Sequence, residues 1–174
     1  LSDTVDVGFL SVPGGGIARM LEGSATFGPR IRAGLAAAAG LQPNTPDYDS
    51  YFVIAQTAID SGDPINYAFL TADNKVLLHE VIGDQVIPNS VPSAPLSGTE
   101  PLIGVYGLET ITESMPVNPL GVRGAVRFIA GDHGSLLNPA ASAAATQEMQ
   151  RQAASFFVSN GTAVQVTDTS VIQQ

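Results

Sequence analysis

Two side chains in this sequence, Asp84 and His133, combine a type and a placement suited to acid–base chemistry. Each follows an apolar, β-branched run that ends in glycine: VLLHEVI leads into Gly83-Asp84, and AVRFIA leads into Gly131-Asp132-His133. A histidine so placed can take a proton from a hydroxyl nucleophile. A carboxylate beside it can orient the ring and stabilise the imidazolium that forms. The reaction also needs a nucleophile and donors for an oxyanion. Asp132 is a rival acid, but it adjoins His133 in the chain and cannot readily reach its neighbour's ring from the required side; it is expected to serve the turn. The other histidine, His79, lies inside an apolar run and is expected to be buried and hydrogen-bonded.

The elements around these residues predict a layered α/β chain. Val5–Val12 (VDVGFLSV), Val76–Ile82 and Ala125–Ala130 read as strands, the first stopping at Pro13-Gly14-Gly15-Gly16. Ile17–Leu21 forms a helical turn and Ser24–Arg30 a loop. Ile31–Ala39, Tyr48–Ile59 and Ala141–Val158 carry helical composition or spacing. Asn138 and Pro139 are the expected N-cap and first residue of the last helix. Asn89–Pro101 reads as loop, Leu102–Leu108 is ambiguous, and Thr162–Ile172 fits a last short strand. Strands alternating with helices argue for a parallel sheet, whose functional groups gather just beyond the C-terminal strand ends. Asp84 and His133 both fall there.

The strings LLHEVIGDQVIPN and VRFIAGDHGSLLNP resemble the acid and histidine segments of α/β-hydrolases. The second string and its Ala-rich helix are similar to those of large bacterial extracellular lipases and lipase-type virulence lipoproteins. That family orders its catalytic residues serine, acid, histidine. The resemblance implies the C-terminal part of an α/β-hydrolase fold, residues 1–174 forming one portion of a domain. It implies a serine lipase or esterase, with Asp84 as acid and His133 as base, in a secreted or cell-surface protein. Residues 17–50 would form a lid or cap and 162–174 a C-terminal tail. The Gly-x-Ser-x-Gly elbow is absent from all 174 residues; the nearest string, Gly23-Ser24 in LEGSATFG, follows no strand. The chain starts at Leu1 and is read as a piece of a longer protein. The nucleophile and most of the oxyanion hole would then come from a missing N-terminal half, and this chain alone would be inert. A different α/β-hydrolase reaction, and a non-catalytic binding or surface-interaction domain, remain alternatives.

Composition narrows the partners. The net charge is −9, with Lys75 the sole lysine, which is a poor match for nucleic acid or anionic lipid. No apolar run is long enough to span a membrane. No cysteine is present, which excludes disulfides and thiolate chemistry. No cofactor is expected: Gly14-Gly15-Gly16 lacks the spacing and lysine of a P-loop, and Asp47, Asp49, Asp60 and Asp63 do not form a calcium loop. The expected partners are an ester or lipid substrate and either the missing half or a second copy of the chain. One of these, or a rearranged Thr162–Ile172, would cover the strand edge at Val5–Val12, since an open apolar edge invites pairing. A dimer is the form expected of this chain alone.

Overall fold

A computed structural model describes residues 5–174; residues 1–4 of the expected 1–174 unit lie outside the described part. The chain is α/β, with a four-stranded parallel sheet. Strands β1 (Val7–Ser11), β2 (Lys75–Val81), β3 (Glu109–Thr110) and β4 (Arg123–Phe128) lie in the order β1-β2-β4-β3. Register places His79 opposite Ser11 on one side and Val126 on the other, with Val81 opposite Phe128.

Alternation along β2 and β4 divides the core into two layers. Leu77, Val81, Val126 and Phe128 face helix α5 (Ala143–Val158), which buries Ala145, Met149 and Phe156 against them. Val76, Leu78 and Ala125 face helix α4 (Thr99–Tyr106) through Ile103 and the following Leu108. Leu77, Leu78, Val126 and Phe128 are fully buried, as strands covered on both faces require.

Between β1 and β2 runs a helical excursion: α1 (Ile17–Gly23), α2 (Gly28–Ala39), α3 (Pro46–Ile59) and a 3₁₀ segment at Pro64–Thr71. It has its own small core, Tyr48 and Phe52 of α3 packing on Ala18, with Ile31 and Leu35 at the margin. Thr45 starts α3 by accepting the Tyr48 amide, and Pro46 occupies the first turn. The Arg19 guanidinium lies 4.4 Å from the Phe52 ring centroid and 2.6 Å from Asp49.

Several sequence expectations shift. The third strand spans Arg123–Phe128, not Ala125–Ala130, because the Ile129 amide donates to Val171 and leaves the sheet. The last helix starts at Ala143 with Ser142 as its cap; Asn138 instead accepts the Ala140 amide in a preceding turn. Helix α2 begins at Gly28, inside the expected loop, and α4 begins at Thr99, before the prolines and serines of that stretch have ended. Thr162–Ile172 is not a strand. It makes isolated bridges at Val164 and Ile172 to Met115 and Phe128, with a 3₁₀ turn at Thr169–Val171. Buried Glu148 holds this tail by accepting the Thr167 and Asp168 amides. The tail therefore packs by β4 and does not cover β1, whose outer side has no strand partner among the described residues.

One buried carboxylate ties the excursion to the sheet. Asp63 is fully buried and accepts from the Gly16, Ile17 and Ile65 amides at 3.1, 2.8 and 3.1 Å and from Gln56 Nε2 at 2.8 Å. Removing it strands buried donors, each costly to leave unpaired. Asp63→Ala is expected to cost about 3 kcal/mol or more of stability, and Asp63→Asn, which keeps one acceptor, clearly less. Urea melts of the three proteins test this; an Ala variant as stable as wild type would show that the carboxylate does not hold the excursion.

Candidate functional site

The loops that leave β2 and β4 emerge at the same sheet edge because the two strands are parallel and adjacent. The Ile82 amide donates to the Phe128 carbonyl at 2.8 Å, extending the pairing one step beyond β2. The chain then turns at Gly83, whose φ of +78° suits glycine. Asp84 follows with its side chain turned inward. The loop after β4 turns at Gly131, where φ is +104° and a Cβ would lie 2.8 Å from Ser135 Oγ, so a side chain would crowd the turn. His133 comes two residues later.

The structure brings the two residues together. His133 Nδ1 lies 2.8 Å from Asp84 Oδ2. The other carboxylate oxygen, Oδ1, accepts the Val86 and Ile87 amides at 2.7 and 3.1 Å. Asp84 is buried, whereas the His133 side chain is 36% exposed. A carboxylate only accepts, so the shared proton belongs on Nδ1 and the Nε2 lone pair is free. Among the described residues, Nε2 has no hydrogen-bond partner. The pair lies in an open depression of about 450 Å³ lined by Gly83–Val86 and Gly131–Gly134. A depression of about 420 Å³ at the opposite, N-terminal strand ends, beside Asp6 and Asn74, contains no such pair.

Asp132 is occupied by the turn. Its Oδ1 accepts the Gly134 amide and the Ser135 hydroxyl, at 2.9 and 3.0 Å. The nearby serines are also committed. Ser135 is fully buried in that turn, and its Oγ accepts the Asp132 amide. Ser24 Oγ accepts the Thr26 and Phe27 amides and sits at the Gln85 carbonyl. The Gly23-Ser24 string is therefore a turn that clasps the acid loop: Thr26 also donates to the Gln85 carbonyl from its amide and its hydroxyl, both at 2.9 Å. Sequence reasoning missed this contact, since nothing local in either segment encodes it. Among the described residues, no three His, Cys, Asp or Glu side chains converge as a metal site, and no helix is long and apolar enough to cross a membrane.

His79 corrects an expectation. It is fully buried, yet neither ring nitrogen has a hydrogen-bond partner. The ring sits between Phe9 and Phe128, at centroid distances of 4.8 and 5.0 Å. Burial pushes its pKa down to about 3, against a smaller opposing pull from the Gln152 side chain, which lies near the ring but outside hydrogen-bond geometry. On the other sheet face, adjacent Glu80 is also fully buried. Burial pushes its carboxyl up to about 7, helped by the negative charge of Glu100.

No known protein family, no curated protein and no solved structure matches this chain.

The opposite shifts of His79 and Glu80 generate a pH signature. From about pH 4.5 to 6.5 the unfolded chain protonates His79 and the folded chain protonates Glu80, so each state carries one of these two protons. Their contributions to the pH slope of stability cancel in that window. Replacing Glu80 by Gln leaves the His79 contribution, and stability is expected to rise with pH there by about 1 kcal/mol per unit. Replacing His79 by Phe leaves the Glu80 contribution, lost as pH rises through about 7, and the slope reverses. Chemical denaturation at half-unit pH steps reads the slopes; unchanged slopes in both variants would refute the assignment.

Proposed function

We propose that Asp84 and His133 are the acid and base of a serine ester hydrolase whose nucleophile comes from outside these 174 residues. The observation that carries the reading is the 2.8 Å contact between Asp84 Oδ2 and His133 Nδ1, with Nε2 turned away and unbonded. In this reading Nε2 takes the proton of an incoming serine hydroxyl. The resulting imidazolium is stabilised by Asp84, and the proton then passes to the leaving alcohol. Acid before histidine, each beyond a parallel strand, is the order and placement of an α/β-hydrolase. The finer assignment of the sheet to the C-terminal part of that fold belongs to this proposal.

The remaining parts follow the same reading. A strand bearing Gly-x-Ser-x-Gly would pair with the outer side of β1, which has no strand partner among the described residues, and would bring its loop to the end of the sheet where His133 lies. Residues 17–50 would cap the site, supported by the Ser24–Thr26 turn on Gln85. The substrate class is a carboxylic ester. Secretion or surface display goes with the same proposal.

A second reading has one specific support: Ser24, bonded to Gln85 of the lining, and Ser135, next to Gly134, are both locked in turns, and these 174 residues hold no serine elbow. The chain would then be a non-catalytic binding domain that retains the sheet.

Hydrolysis of short- and medium-chain p-nitrophenyl esters separates the two. The isolated chain is expected to show no turnover above background and no labelling by a fluorophosphonate probe. In a polypeptide that also carries the elbow strand, wild type is expected to turn over and to be labelled. There His133→Ala should lower kcat by at least ~10³-fold, and Asp84→Asn by about 10⁴-fold, the scale found when serine triads lose a member. Wild-type rates in a folded His133→Ala protein would remove His133 from the mechanism.

A further inference from the structure

Asp84 stands on a short loop, and a dyad loses its function if its acid is misplaced by about an ångström. Besides the Ser24–Thr26 turn that clasps it at Gln85, one side chain ties both ends of that loop to the sheet. Asn89 Oδ1 accepts the Gly83 amide at 2.7 Å, at the loop's first residue. Its Nδ2 donates to the Val81 carbonyl at 2.8 Å and to Glu80 Oε1 at 2.7 Å, both on β2. Its own carbonyl accepts the Glu100 amide at 2.8 Å, and the preceding Pro88 carbonyl accepts the Thr99 amide, so the loop's far end is tied to the start of α4. Both amide hydrogens and the side-chain oxygen of Asn89 are used, and the six-residue loop Gly83–Pro88 is closed into a ring.

Glu80 in turn is held from β4. Its Oε2 lies 3.2 Å from Arg127 Nε, and Arg127 grips Glu100 through two bonds of 2.6 and 2.7 Å. The strand that carries Asp84, the strand that carries His133 and the helix after the acid loop thus share one polar knot, buried at Glu80 and reaching the surface at Glu100. We propose that Asn89, held by Glu80, is the positioning residue that aims Asp84 at His133, an inference that rests on the catalytic reading of that pair. It touches neither His133 nor a reacting atom; it acts through the backbone of Gly83 and the amides of Val86 and Ile87.

The geometry explains the residue type. The position needs one acceptor and two donors on a short planar group, which asparagine supplies and aspartate or leucine does not. Glu80 Oε1 only accepts from Asn89, so glutamine at position 80 can replace it there and leucine cannot. The elevated pKa of Glu80, about 7, fits the same arrangement: a protonated Oε2 can donate toward Glu100 while Oε1 still accepts from Asn89.

The test is made on the isolated chain, labelled with ¹⁵N, so that it does not depend on turnover. Two quantities are read: amide exchange at Val86 and Ile87, which report on Asp84 Oδ1, and the ring nitrogen shifts of neutral His133, which report which nitrogen carries the proton. Wild type is expected to hold the proton on Nδ1. Asn89→Ala should speed exchange of both amides at least tenfold and move the His133 proton toward Nε2, with the protein still folded by circular dichroism. Glu80→Leu should do the same and Glu80→Gln should not. If Asn89→Ala fails to fold, Asn89→Asp, nearly the same size but unable to donate to Glu80 and Val81, is read in the same way. Unchanged amide exchange and an unchanged His133 tautomer in folded Asn89 and Glu80→Leu variants would overturn the proposal. In an elbow-bearing polypeptide, Asn89→Ala should lower kcat about 10- to 100-fold with KM within about twofold. Absent turnover in wild type with these NMR effects intact would sink the esterase reading and leave the positioning role standing.

Discussion

The parallel pairing of β2 with β4 is the constraint from which the site follows. Val81 stands opposite Phe128, and the Ile82 amide still reaches the Phe128 carbonyl. The two chains therefore leave the sheet side by side in the same direction. Asp84 is three residues past the end of β2 and His133 five past the end of β4. An antiparallel pairing would send these loops to opposite ends. Slipping β4 by one residue would invert its faces, driving Val126 and Phe128 out of the α5 layer and turning Arg127 into it. The apolar alternation that fixes register thus also fixes the distance between Asp84 and His133. The polar knot of Glu80, Arg127 and Glu100 reinforces that register, because it forms only when Glu80 and Arg127 stand opposite each other on the α4 face.

Strand β2 carries two fully buried titratable groups, His79 and Glu80, in adjacent positions on opposite faces. Glu80 Oε1 accepts from Asn89 while Oε2, 3.2 Å from Arg127 Nε, makes no well-formed hydrogen bond; His79 has aromatic rings on both sides and neither nitrogen bonded. Burying an unpaired imidazole costs less when it stays neutral, and that is the state burial imposes here. The two groups differ in consequence. Glu80 is linked by a chain of hydrogen bonds to the loop of Asp84; His79 is enclosed in the α5 layer and has no such link to the site. A buried histidine near a candidate acid–base pair is therefore not itself part of that pair.

How much of this was legible in the sequence depends on how local each signal is. The strands of β2 and β4 announce themselves by β-branched runs, and their glycine endings marked Asp84 and His133 as residues at strand ends. Apolar spacing placed α3 at Tyr48–Ile59; the helix starts two residues earlier, at Pro46, because Thr45 caps it and proline is tolerated in its first turn. Helix α4 was hidden because Pro101 lies in its first turn, where proline is tolerated, within a stretch whose prolines and serines read as loop. The cap of α5 was misplaced because Asn138-Pro139 and Ser142 both suit an N-terminus, and only packing decides between them. The tail at 162–172 has strand composition but makes only isolated bridges: β3 occupies β4 at Gly124 and Ala125, which leaves the tail a single bridge at Phe128, and the outer side of β1 lies across the sheet. Asn89 and Glu80 gave no signal as site residues. Their role arises from contacts with Gly83 and Arg127, and pattern reading along the chain does not see such contacts unless a motif encodes them.

In the hydrolase reading the nucleophile comes from outside these residues, and that bears on what kind of rigidity the pair has. In a triad the histidine can be oriented from both sides, by the acid at Nδ1 and by the nucleophile at Nε2. Among the described residues His133 is held at Nδ1 by Asp84, and behind Asp84 stand the Val86 and Ile87 amides, Asn89 and Glu80. On the histidine side, the turn is fixed by Asp132 and Ser135, which bind each other and the loop amides without using the ring. Neither support draws on a nucleophile. A base that is already aimed costs an incoming hydroxyl little reorganisation, which is how preorganised sites lower barriers. The same independence means that the pair can be formed and measured in this chain alone, before any serine is supplied.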